Sequence, residues 1–337
     1  MTRTSPSREG SSDDYRALAE QVRTAGLLER RSGRYTVRMA FTGIALGAGW
    51  AALVLLGNSW VGLACAAAFL AVMYVQVVFV GHDAGHQQIF RSRRANRLVG
   101  LVAGNTLTGL SFGWWVPKHN AHHAHPNQAD RDPDIGAGVV AFTEEIARSR
   151  RGIGRWLARW QAWLFFPLLT FEAVALRVAG VRVLARRRDR DAVIDGLLLI
   201  AHAALYLGVV FSLLGPVRAL TFIAIQQGLF GLYLGCSFAP NHKGMVLLGH
   251  DADEPFIRRQ AITSRNVEGG PITTLLLGGL NYQIEHHLFP TMPRANLPRS
   301  QLLVREFCLA NGVPYEACGL IDSYRQTLSH LRAVGAG

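Results

Sequence analysis

Four long apolar runs constrain this chain more than any other feature. They cover roughly 39–56, 60–80, 194–214 and 220–240. Each is close to the about 20 mostly apolar residues that a helix needs to cross a bilayer. In hydrocarbon every backbone N–H and C=O must be satisfied inside the segment, so runs of this kind predict helices. Gly57–Trp60 forms a short turn between the first two, and Gly215–Pro216 breaks the chain between the last two. The pattern predicts an all-α membrane protein with four transmembrane helices in two hairpins.

The rest of the chain is not embedded. Half of the 337 residues are hydrophobic and 17% are charged. The mean hydropathy of only +0.17 requires a large polar part. So much apolar surface excludes global disorder. Gly has no fixed period and there are only four Cys, which excludes collagen-like and disulfide-scaffold classes. Cys65, Cys236, Cys308 and Cys318 form no C-x-x-C pair, so no zinc ribbon or redox motif is indicated. The net charge of +12 invites a nucleic-acid reading. However, the arginines flank apolar runs instead of forming one basic face, and Lys118 and Lys243 are the only lysines.

Those flanking charges orient the molecule. The hairpin turns carry almost none, with Arg218 alone near the second. The opposite ends carry Arg30, Arg31, Arg34 and Arg38, then Arg91, Arg93, Arg94 and Arg97, then Arg186, Arg187, Arg188 and Arg190. By the positive-inside rule the termini and residues 81–193 are expected in the cytoplasm. Residues 1–37 read as a cytoplasmic N-terminal segment with a disordered start at 5–14 and a helix from Asp14 to about Arg31. They hold no apolar stretch of the signal-peptide kind. Residues 38–337 then form the membrane domain, with a helical cytoplasmic cap made of 81–193 and 241–337. Leu98–Val116, with Trp114 and Trp115, and Trp156–Leu184, with internal charges, read as interfacial helices. Trp114 and Trp115 could equally line a tunnel.

The histidines carry the chemistry. His82 and His86 stand at i, i+4 in GHDAGH. His119, His122 and His123 stand at i, i+3, i+4 in KHNAHH, and Gln283, His286 and His287 repeat that spacing in NYQIEHHLFP. On a helix each set shares one face. His242 follows the fourth run in PNHKG. With two hairpins, all eight histidines fall on one side of the membrane. His125, His202, His250 and His330 lack such company and read as structural. Imidazole suits Zn, Cu, Fe and Ni. A catalytic zinc takes three protein ligands and a structural one four, so eight histidines suit two metals with open positions. At the mouth of an apolar bundle, that combination points to oxygen chemistry on a lipid tail.

The blocks GHDAGH (81–86), GLSFGWWVPKHNAHHAHPN (109–127), DPDI (132–135), APNHKGM (239–245), RNVEGG (265–270) and GGLNYQIEHHLFPTMPRANL (278–297) resemble those of the integral-membrane fatty acid desaturases. The similarity is to the group whose third box reads Q-x-x-H-H, and it runs from about residue 40 to about 332. The resemblance implies a non-haem di-iron centre in the cytoplasmic cap. It implies insertion of a cis double bond into the acyl chain of an acyl-CoA or acyl-lipid, using O2 and two electrons. As metal ligands it implies His82, His86, His119, His122, His123, His242, His286 and His287, with no catalytic residue beyond them. Gln283 stands where many relatives have His, and its amide could ligate weakly, hold a water or orient a neighbour. Asn241 is a candidate for a water-mediated contact. Asp83, Asp132, Asp134 and Glu285 are candidate acceptors for the second ring N–H of the histidines.

Relatives with this third box often carry a fused cytochrome b5 domain marked by H-P-G-G. That motif is absent here, so the expected electron donor is a separate ferredoxin or flavoprotein reductase in a bacterial cytoplasmic membrane. A related di-iron lipid hydroxylase is the nearest alternative. A membrane zinc hydrolase is another, but H-E-x-x-H is missing. A metal transporter would want ligands at mid-span, where only His202 lies.

Overall fold

The computed structural model describes residues 8–337 apart from Ala137, with the side chains of residues 8–12 excluded. Residues 5–7 of the expected disordered start therefore lie outside the described residues. The chain folds into two compact units, each assembled from separate stretches. Among the described residues, one comprises 31–118 and 166–236, and the other comprises 8–30, 119–165 and 237–337.

The apolar unit is built on α2 (Ser32–Leu56) and α3 (Trp60–Gly85). Ser59 caps α3 by accepting from the Gly62 N–H. Gly49 lets the helices close up, because a Cβ there would lie 2.8 Å from Leu70 Cδ2. The chain continues into α4 (Arg93–Leu101), a π-helix (Val102–Thr108) and α5 (Phe112–Ala124). Gly109 ends the π-helix at φ +68, against His202 and Arg177. Asn105 and Ser111 both donate to the buried Asp195 carboxylate, fixing this segment to the start of the next span.

Two later helices, α8 (Glu172–Leu184) and α9 (Arg190–His242), add to this unit. Within α9, Gly215 at φ 65 and ψ 167 interrupts the helix. Tyr206 and Gln226, on either side of that break, are joined by a 3.0 Å hydrogen bond. The halves 190–214 and 216–242 therefore double back on each other as the predicted second hairpin. Trp50 packs on Tyr206 and Phe222 from both halves. By length and composition α2, α3 and α9 are long and apolar enough to cross a membrane. Polar side chains inside this unit bond one another, as in Arg38–Gln76–Tyr233.

The polar unit contains α1 (Arg8–Thr24), the segment around α6 (Glu144–Ser149), the first turns of α7 (Gly152–Leu169), and everything after Cys236. α1 begins six residues before Asp14. Its Leu18 and Val22 enter a core with Ile257, Ile284, Leu288, Met292, Leu297 and Val304. These come from α10 (Phe256–Ile262), α12 (Gln283–Leu288) and α13 (Leu297–Ala310). β1 (Asn266–Glu268) pairs in parallel with β2 (Ala317–Gly319), a small strand pair that the all-α reading did not include. α14 (Leu320–Ala336) closes the chain.

Arg265 ties that last helix down. It is fully buried. Its guanidinium donates to Pro240 O at 2.6 Å, to Lys243 O and to Gln326 Oε1. A cation at the carbonyl end of α9 is well placed for the helix dipole. Thr327 Oγ1 also donates to Lys243 O, and Gly244 at φ +85 lies against Gln326 O.

Candidate metal centre

In the apolar unit His82 and His86 stand at the end of α3, one turn apart and buried, with ring centroids 4.7 Å apart. Trp115 covers them at 5.5 and 6.4 Å. Gly85 makes that approach possible, since a Cβ would meet Trp115 at 2.7 Å. His82 Nδ1 is 3.5 Å from Asp83 Oδ1, long for a hydrogen bond.

In the polar unit six histidines converge. His119, His122 and His123 come from α5, His242 is the last residue of α9, and His286 and His287 come from α12. All are buried. The rings of His123 and His287 stack at 4.1 Å, and those of His122 and His242 meet edge-on at 4.6 Å. The ligand atoms of His122, His242 and His287 lie within 4.8 Å of one another.

Hydrogen bonds fix the tautomers of these three. His122 Nδ1 lies 3.0 Å from each Asp132 oxygen, His242 Nδ1 3.0 Å from Thr263 O, and His287 Nδ1 3.0 Å from Gln260 Oε1. All three partners are acceptors, so each Nδ1 donates, and in the neutral ring, the form that binds a metal, each Nε2 keeps its lone pair. The Gln260 amide cannot be reversed, because its Nε2 donates to His123 O at 3.0 Å. Two of the lone-pair nitrogens, His122 Nε2 and His242 Nε2, face each other at 3.3 Å. Two acceptors at that distance repel unless a cation lies between them. Two imidazole nitrogens held at about 2.1 Å by one ion stand about 3.0–3.4 Å apart. The donor set therefore fits a metal ion.

Gln283 takes a definite place in this arrangement. Its Nε2 lies 2.8 Å from the lone-pair nitrogen of His242. Its Oε1 is buried with no hydrogen-bond partner among the described residues. Asn241 donates to Ser237 O at 3.4 Å, and its buried Oδ1 likewise has no partner among them.

Of the four carboxylates expected behind the histidines, Asp132 makes the strongest case. Burial works to raise its pKa, but the His122 hydrogen bond and the nearby Lys243 cation bring it below the ordinary value. Asp132 also accepts from the Asn127 and Asp134 N–H groups at 2.7 and 2.8 Å. Asp134 Oδ2 is 3.6 Å from His122 Nδ1. Glu285 corrects the expectation. Its carboxylate accepts from Tyr315 Oη and Asn266 Nδ2, both at 2.7 Å, and from no histidine among the bonds described. Adjacent helical residues point about 100° apart, so the side chain before His286 is turned toward β1 and Tyr315. Burial raises its pKa despite those two bonds.

Sequence reasoning missed Gln260, the Thr263 carbonyl and Asn127, whose Nδ2 donates to His242 O at 3.0 Å. Asn127 has φ +51, a conformation that Asn tolerates better than most residues. The other four histidines bond elsewhere: His125 to Gln128, His202 to Thr106 O, His250 to Asp251 and His330 to Phe142 O.

Residues 58–319 match the fatty acid desaturase family. The chain belongs to that family. It is 30% identical over 319 residues to an acyl-lipid (9-3)-desaturase of Physcomitrium patens, covering 91% of this chain and 60% of the moss protein. It is 28% identical over 337 residues to a Delta(8)-fatty-acid desaturase of Helianthus annuus, covering 95% and 73%. A Delta(6)-fatty-acid desaturase of Caenorhabditis elegans is 32% identical over 281 residues, covering 79% and 63%. The chain thus spans between three fifths and three quarters of these relatives' lengths. Its apolar helices and its family make it an integral membrane protein, and its buried histidine clusters suit a metal site.

Proposed function

We propose that this protein is a membrane fatty acyl desaturase. It removes one hydrogen from each of two adjacent methylenes in the chain of an acyl-CoA or acyl-lipid and leaves a cis double bond. Electrons balance with one O2, two electrons and two protons, giving two waters. The observation that carries the reading is the set of buried imidazoles whose Nδ1 atoms are bonded outward, leaving Nε2 lone pairs of His122 and His242 facing at 3.3 Å. The metal ligands are His82, His86, His119, His122, His123, His242, His286 and His287. Two non-haem irons bound there supply the oxidising power. The protein contributes ring orientation through Asp132, Thr263 and Gln260, and a buried setting that keeps bulk water from the histidines.

The electrons come from a separate ferredoxin or flavoprotein reductase. The arginines at 30–38, 91–97 and 186–190 favour a site on the cytoplasmic side of a bacterial membrane. The relatives' printed names, acyl-lipid (9-3), Delta(8) and Delta(6), support a fatty-acyl substrate.

The test is the fatty-acid profile of a host expressing the protein with a ferredoxin and its reductase, beside a His86→Ala variant. A new unsaturated chain in the wild type alone, with iron in the purified protein, is the expected result. A hydroxylated chain would move the protein to hydroxylase chemistry. Zinc in place of iron, with no new lipid, would overturn the reading.

A further inference from the structure

The first turns of α7 carry two opposed faces. Ala158, Gln161 and Phe165 are buried. Gln161 fixes the helix about its axis: its amide accepts from Ala141 N–H and donates to Ala141 O and Leu331 O, at 2.9–3.0 Å. Gly335 lies so close that a Cβ there would stand 2.4 Å from Ala158 O. Ile153, Trp156, Trp160 and Trp163 are thereby held outward, at 78%, 54%, 45% and 69% exposure. At 100° per residue these four fall within an arc of about 80° and along about 15 Å of helix.

Arg155 and Arg159 border that stripe along one edge, with Arg151 just before the helix, and α7 contains no acidic residue. Arg151 and Arg159 have no ion-pair partner among the described residues, and Arg155 donates to Ala147 O and Gly337 O. Arg332 of α14 adds a further cation over the Trp163 ring at 5.5 Å. The helix runs on without charge through Phe165, Phe166 and Leu169.

We propose that this face of α7 docks on a phospholipid leaflet with anionic headgroups and lies in the interface instead of crossing it. Tryptophan combines a large apolar ring with one N–H donor and settles at headgroup depth. Arginine beside it meets phosphate. A crossing helix would carry these arginines into hydrocarbon, which is strongly disfavoured. An apolar stripe bordered by cations on a helix of this length is the composition of an interfacial helix. The charge selects lipid phosphate as the occupant, and the helix belongs to a chain whose other long apolar helices already require a bilayer. This inference does not depend on the proposed chemistry.

The test uses the full chain in nanodiscs of mixed phosphatidylcholine and phosphatidylglycerol. The acyl chains carry bromine either near the carbonyl or near the methyl end. Emission lost in a variant carrying Trp156→Phe, Trp160→Phe and Trp163→Phe isolates the three rings. Their share is expected to be quenched several-fold more by shallow bromine than by deep bromine. Stronger deep quenching would mean that the helix crosses. Quenching by aqueous iodide with none by bromine would mean that the face meets water or protein. Either result overturns the proposal. In a second arm, native mass spectrometry reads the ratio of retained phosphatidylglycerol to phosphatidylcholine. Arg155→Gln and Arg159→Gln are expected to lower it by about fivefold each, and an unchanged ratio would remove the anionic headgroup from the proposal.

Discussion

His122 Nδ1 stands 3.0 Å from both oxygens of the Asp132 carboxylate. The contact does two things. It holds the proton on Nδ1, and it makes the opposite nitrogen a better donor to a metal. Asp132→Asn keeps the shape but replaces one acceptor oxygen with a donor. Metal affinity is expected to fall about 10–100-fold. Iron content of protein equilibrated at a series of buffered iron concentrations measures it, and an unchanged binding curve would show that the contact has no bearing on the site.

Gln260 performs two tasks that can be separated. Gln260→Glu keeps an acceptor for His287 but loses the donor to His123 O. Gln260→Leu loses both. The leucine variant is expected to lower metal affinity by about 10–100-fold, and the glutamate variant by less. Equal losses would mean that the bond to His123 O matters more than the one to His287.

Gly244 has φ +85, and an added Cβ would lie 2.9 Å from Gln326 O. Gly244→Ala is expected to destabilise the fold by about 1–3 kcal/mol. A thermal melt in detergent or nanodisc checks this, and a midpoint equal to wild type would contradict it.

His330 gives a pH prediction. Burial lowers its pKa, although the bond to Phe142 O partly offsets this. The unfolded chain takes up the proton first, near pH about 6.5. The stability contributed by the neutral ring is present above that value and is lost as pH falls toward the lower folded pKa. Melting midpoints of wild type and His330→Gln are expected to differ in slope below about pH 6.5. Parallel slopes would exclude His330 as the titrating group.

The apolar helices and the three histidine-bearing helices were legible because each rests on local periodicity. Hydropathy located α2, α3 and both halves of α9, and Gly215–Pro216 marked the reversal between those halves. The i, i+3, i+4 spacings placed His119, His122 and His123 on α5, and Gln283, His286 and His287 on α12. What orients those rings was mostly not legible. Gln260 reaches His287 from 27 positions away and Thr263 reaches His242 from 21, distances at which chain spacing has no bearing. Glu285 was misread for the opposite reason. Closeness in sequence suggested closeness to the site, whereas the turn of the helix directs it to Tyr315 and Asn266. β1 and β2 are three residues each and join positions about fifty apart, too short to leave a pattern.

The guanidinium of Arg265 makes the loop beneath one histidine depend on a helix that follows all three boxes in sequence. Two of its acceptors, Pro240 and Lys243, bracket His242, and the third belongs to Gln326, eleven residues before the last. Thr327 closes on Lys243 from the same late helix. A ribosome that has released the histidine-bearing segments has therefore not yet delivered the groups that steady the loop beneath His242. A chain cut before α14 (Leu320–Ala336) would carry every histidine of the three boxes and still lack part of the floor on which one of them rests.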